Sequence, residues 1–192
     1  MQLTEKELSL IQDTDFLLTK SQVLQKVTLL LEDTRDQLKY TISDLGFVFP
    51  PDLNIESGKV SRGENYLMLP YQVLDFPALF SRKDVFAFRT MFWWGHFFSL
   101  TLHLQGQLLD HFKGRIWKNR EELIGRDIFI GVGDGPWQYH YGSDNYLPYT
   151  RDHEKMLRET KFLKLSKKIS LESWRDLPLE ATNFLKLMVS IL

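Results

Sequence analysis

The chain has 192 residues, 43% of them hydrophobic and 26% charged, a length and balance that suit one domain with a sizeable core. Its 24 basic and 25 acidic residues leave a net charge of −1, so no global electrostatic footprint for nucleic acid or an anionic membrane exists. Cysteine is absent, which removes disulfides, thiolate-bound zinc, iron–sulfur clusters and thiol nucleophiles, and fits a reducing, cytoplasmic setting.

The opening MQLTEKELSL carries early charges and no apolar run, unlike a signal peptide. Thr4 with Glu7 three residues later matches a capping box and predicts a first helix. A second should begin near Ser21, where Val23, Val27, Leu30, Thr34, Leu38, Ile42 and Leu45 recur at helical spacing until Gly46 supplies a stop. Residues 52–64 are polar, hold two glycines and read as a loop. The following Asn65–Phe76 is apolar and β-rich, with Pro70 pointing to an edge strand or a break.

Val85–Trp93 and His96–Gln105 are the clearest strands, and their closeness predicts an antiparallel hairpin. A three-residue turn would set Phe86, Phe88 and Phe92 beside Phe98, Leu100, Leu102 and Leu104. It would also set Arg89 beside Ser99, Thr101 and His103. A two-residue turn would place the guanidinium among leucines, at a high desolvation cost, so the first register is preferred. The polar face it creates fits an anion-binding wall, because Arg matches carboxylate and phosphate geometry. It fits better still the exposed face of an ordinary antiparallel sheet. The longest apolar run, Met91 to Leu104, is broken by polar residues and too short to span a bilayer.

Asn119 and Glu122 predict a short capped helix ending at Gly125. Then comes Gly131-Val132-Gly133-Asp134-Gly135, directly after the apolar DIFI. Its third glycine is one residue early for a dinucleotide fingerprint and no helix opens behind it, so a phosphate loop is disfavoured. Asp134-Gly135 reads as a turn joining DIFIGV to a strand WQYHY, on which Trp137, Tyr139 and Tyr141 point one way and Gln138 and His140 the other. These rings, with Asp144, Asn145, Tyr146 and Tyr149, either stack on a ligand or pack on the core. Residues 151–163 look helical. KFLKLSKKISL at 161–171 fits both a strand and a helix, and the basic run Lys155 to Lys168 reads as solvated surface. Asp176 and Pro178 start a last helix.

The expectation is a single α+β domain over 1–192, with helices in 1–46, an antiparallel sheet of about four to six strands from 65–141, and a mostly helical 150–192. No HxxxH, HExxH or G-x-S-x-G signature occurs, and neither a metal site nor a cofactor is expected. The leading function is a non-catalytic ligand-binding or protein-interaction module built on Arg89, Thr101, His103, Asp134, Trp137, Tyr139, His140 and Tyr141. The alternative is a hydrolase or transferase for a small anionic substrate, using Arg89 for the anion and His103 or His140 as base. The expected partner is a small molecule or another protein, not nucleic acid or membrane, with homo-oligomerisation through exposed aromatic patches a further option.

Overall fold

A computed structural model describes residues 2–192. It begins with α1 (Glu5–Gln12) and α2 (Thr14–Asp44). The capping box forms as the sequence predicts: the Thr4 hydroxyl accepts from the Glu7 amide, and the Glu7 carboxylate accepts from the Thr4 amide at 2.7 Å. The second helix starts a full two turns before Ser21, because the Asp13 carboxylate caps it by accepting from the Phe16 amide at 3.0 Å. Gly46, at φ 59°, ends it.

Four strands then meander: β1 (Val60–Tyr66), β2 (Leu69–Phe80), β3 (Val85–Trp93) and β4 (Phe97–Gln105). Next come α3 (Gln107–Asn119), β5 (Ile128–Gly131), β6 (Tyr146–Pro148), the single turn α4 (Met156–Glu159), β7 (Phe162–Ile169) and α5 (Leu177–Ile191). All seven strands join one antiparallel sheet in the order β1-β2-β3-β4-β7-β5-β6. The architecture is α+β with helices flanking the sheet, and the sheet is larger than the sequence suggested.

The additions have physical causes. The polar 52–64 stretch conceals β1, an exposed edge strand whose outward residues need no apolar pattern. Pro70 does not break β2: it stands at the start of the strand, before the ladder to β3 opens at Tyr71–Trp93. A register shift between Asp75 and Ala78 absorbs Pro77, whose missing amide the ladder could not use. Within 161–171 the strand Phe162–Ile169 forms, leaving only a 3₁₀ turn (Arg151–His153) and α4 where a longer helix was expected. The segment before Gly125 is a 3₁₀ turn, Arg120–Leu123, continuing α3.

Turn geometry fixes the central hairpin. Trp93 pairs with Phe97 across Trp94-Gly95-His96, with Gly95 at φ 74° and the His96 amide donating to the Trp93 carbonyl. The three-residue turn therefore holds, and Phe86, Phe88 and Phe92 pair with Leu104, Leu102 and Phe98. This face, with Leu163 and Leu165 of β7, packs beneath α2, α3 and α5. Each such fully buried side chain contributes about 1.5–3 kcal/mol. Two polar ties cross the layer. Gln72 donates to the Leu24 carbonyl at 2.8 Å and accepts from Thr28 at 3.0 Å, and Lys167 meets Glu180 at 2.7 Å. No helix among the described residues is long and apolar enough to cross a membrane.

Candidate functional site

The opposite face of the sheet carries the charged and hydroxyl groups. Two-residue periodicity and the register align Arg89 (β3), Thr101 (β4) and Ser166 (β7) in one cross-strand row. Ala87, His103 and Lys164 form the next row. Asp75 pairs with Arg89 from β2. Instead of a helix, the segment from Val132 to Asn145 covers this face. It contains WQYHY but is not a strand: β6 takes the pairing edge of β5, and the expected DIFIGV–WQYHY hairpin does not form. The alternation survives only in side-chain direction. Tyr139 is buried on the sheet beside Arg89, Tyr141 meets Ser166, and Trp137 reaches His103.

Arg89 forms a two-pronged ion pair with Asp75, at 2.7 and 2.8 Å, and its guanidinium lies 4.6 Å from the centre of the Tyr139 ring. Burial is the largest influence and works against its charge, but the Asp75 bonds, joined by electrostatic attraction to Tyr139, Asp75 and Tyr146, together outweigh it and the pKa rises. Burial beside this pair also pushes the Tyr139 phenol up to about 12.

Ser166 centres a neutral network. Its hydroxyl donates to the Leu100 carbonyl at 2.9 Å, leaving its lone pairs for Thr101 at 2.8 Å and Tyr141 at 2.5 Å. Tyr141 stacks on Tyr146, ring centres 4.9 Å apart, and burial drives both phenols well above their ordinary range.

Lys164 departs furthest from the sequence reading. Rather than a solvated surface charge it is fully buried, and among the described residues no carboxylate meets it. Its ammonium donates to the Gln138 carbonyl at 2.6 Å and to Asn145 Oδ1 at 3.2 Å, and lies 4.7 Å from the Tyr146 ring centre. The third N–H has no oxygen acceptor among the described residues. Burial, reinforced by the Arg89 charge, lowers its pKa from 10.5 to about 8.

His103, 1% exposed, is Lys164's cross-strand neighbour, and neither of its ring nitrogens makes a hydrogen bond among the described residues. Burial, then the Lys164 and Arg89 charges, bring its pKa down to about 4, so the ring is neutral at pH 7. Ser99 Oγ, Gln105 Oε1 and the Tyr146 hydroxyl are also buried without a hydrogen-bond partner. Unsatisfied polar atoms are uncommon in a settled core, and five of them gather on this one face.

Two clamps hold the cover. Asn145, fully buried, accepts from Lys164 and donates to the His140 carbonyl at 2.7 Å, while its carbonyl accepts from Val132. The Tyr66 hydroxyl accepts from the Tyr139 and His140 amides at 2.6 and 3.0 Å and faces His140 Nδ1 at 3.3 Å. Having accepted twice, it donates to Nδ1, which leaves His140 Nε2 to donate to Asp144 at 3.2 Å. His140 is thereby occupied away from the buried charges, and Asp134 stands exposed in its turn. Arg89, Thr101, His103, Tyr139 and Tyr141 share one layer, and Trp137 borders it half-exposed. Asp134 and His140 do not join it.

A cavity of about 290 Å³ opens at the rim, between Gly131–Gly133, α4 and Phe162. The Phe162 ring lies 6.3 Å from that of His103 and 5.9 Å from the Lys164 ammonium. Sequence reasoning missed Lys164, Asp75 and Ser166, although the alternation Phe162, Lys164, Ser166, Lys168 was visible. Among the described residues no cluster of three or more metal-ligating side chains occurs. Comparison with protein-family models, curated proteins and solved structures yielded no match.

Proposed function

We propose that this protein is a non-catalytic binding module for a small anionic ligand, a carboxylate or phosphate held between the β3–β4–β7 face and the Val132–Asn145 cover. The observation that carries this is the charge imbalance of the buried layer: Arg89 and Lys164 against the single carboxylate of Asp75, with the Lys164 ammonium short of one acceptor. A buried cation without a counter-charge is costly, and an anion removes that cost. His103, neutral with two free nitrogens, can donate one N–H to the same ligand. The aromatic rings of the cover supply flat apolar surface, and the rim cavity is lined by Phe162, whose ring lies 6.3 Å from that of His103. General acid–base chemistry gains less support, since His140 is engaged by Tyr66 and Asp144. The ligand is a small molecule rather than nucleic acid, and the absence of cysteine fits work in the cytoplasm.

The test is thermal denaturation with inorganic phosphate, succinate and acetate, at ionic strength matched with sodium chloride. The wild type should be stabilised by about 2.7 kcal/mol at a probe concentration ~100 times its dissociation constant. Lys164→Met, with its fold checked by circular dichroism, should lose that shift. An equal shift in the variant, or none from any probe in the wild type, overturns the proposal.

A further inference from the structure

Residues 2–19 are exposed throughout, and α1 buries no residue. The first ion pair to the body among the described residues is that of Lys20 with Glu64 at 2.8 Å; Leu17 borders the same surface cavity as Arg62 and Gly63, and the first fully buried residue is Val27. The arm so formed presents seven large apolar side chains to solvent: Leu3, Leu8, Leu10, Ile11, Phe16, Leu17 and Leu18, each 48–63% exposed. An isolated helix shorter than about 12–15 residues is marginal in water, and α1 has eight. Its capping box helps but supplies no apolar cover. A helix this short with a bare apolar surface needs something to pack against.

We infer that the covering surface is the same arm of a second copy, packed about a two-fold axis. Area is the first support. The seven side chains offer apolar surface on the order of 600–700 Å², close to the ~800 Å² that each partner buries in a specific interface. Charge is the second: residues 2–19 carry Glu5, Glu7, Asp13 and Asp15 against Lys6, an acidic excess that an anionic lipid surface repels and that physiological salt screens between two arms. A lipid surface fits poorly, because interfacial helices carry Lys and Arg on their polar face, whereas acids outnumber bases here. By symmetry, a second copy brings an identical apolar patch, as isologous dimers do.

The experiment is sedimentation equilibrium of the full chain up to about 100 μM, well above the micromolar weak end for interfaces of this size. Wild type should reach twice the monomer mass, and its thermal midpoint should rise with concentration. Ile11→Asp and Leu17→Asp, at sites exposed in the single chain, should keep the same circular dichroism in the sheet region and sediment as monomers. Wild type that stays monomeric, or variants that still dimerise, overturn the inference. So does co-sedimentation of a monomeric wild type with phosphatidylcholine–phosphatidylserine vesicles, which would make a membrane the occupant.

Discussion

Replacing Lys164 by Met keeps the unbranched side chain to within one atom of its length and removes its charge, which isolates what the buried ammonium does to stability. The folded chain holds this proton with a pKa of about 8, against 10.5 in the open. Below pH 8 both states are protonated, and the fold carries the full penalty, about 3 kcal/mol from 2.5 units at 1.36 kcal/mol each. Between pH 8 and 10.5 the unfolded chain keeps the proton that the folded chain has released, so rising pH favours the fold. From pH 7 to pH 10 the wild type should therefore gain about 2.5 kcal/mol relative to Lys164→Met. Urea denaturation at pH 7, 8, 9 and 10 measures this as the difference between the two proteins. Taking the difference cancels the raised tyrosine pKa values, which both proteins share. The variant strands the Gln138 carbonyl and Asn145 Oδ1, so its absolute stability is offset, but that offset does not vary with pH. A flat difference, or one that falls, would show that the ammonium is not starved of solvation and would remove the basis for an anion beside it. Repeating the series in phosphate links stability to binding: an anion at Lys164 restores its pKa and flattens the slope.

His103 makes the mirror case on the acid side. Its pKa falls from 6.5 to about 4 on folding, so stability present above pH 6.5 is lost as pH drops to 4. His103→Leu should spare about 3 kcal/mol of that loss when the two proteins are compared by denaturation at pH 7 and pH 4. Asp75→Asn leaves the Arg89 guanidinium partly buried without its counter-charge and should cost about 2–4 kcal/mol, whereas Asp75→Leu with Arg89→Met should recover most of it in a double-mutant cycle.

The hairpin register could be read from the sequence because one residue decided it: only the three-residue turn keeps Arg89 out of the leucine face. The α+β class followed from the same alternation. β7 was harder to see, since Leu163, Leu165, Ile169 and Leu171 satisfy both periods, and a lysine amid lysines looks solvated until its neighbours across the sheet are known. The α3 pattern, Leu109, Phe112 and Ile116, was present at helical spacing and could have been found. WQYHY misled because alternation records which way side chains point, and this segment alternates against a sheet without hydrogen-bonding into it. The site layer depended on contacts remote in sequence. Asp75, Arg89, His103 and Lys164 come from four strands, and nothing local in any of them shows that the Val132–Asn145 segment folds over all four.

The position of β7 has a consequence for a chain still being made. Its partner β4 ends at Gln105, and β7 begins 57 residues later, at Phe162. Until those residues emerge, the central strand FFSLTLHLQ has one open edge of unpaired amides and carbonyls, on an apolar segment without formal charge. Such an edge is a template for pairing with other chains. Lys164, Lys167 and Lys168 arrive on the strand that closes it. Chains stalled before residue 160 should therefore aggregate or hold a chaperone, and Lys164, costly in the finished interior, would with Lys167 and Lys168 keep the closing strand itself in solution until it docks.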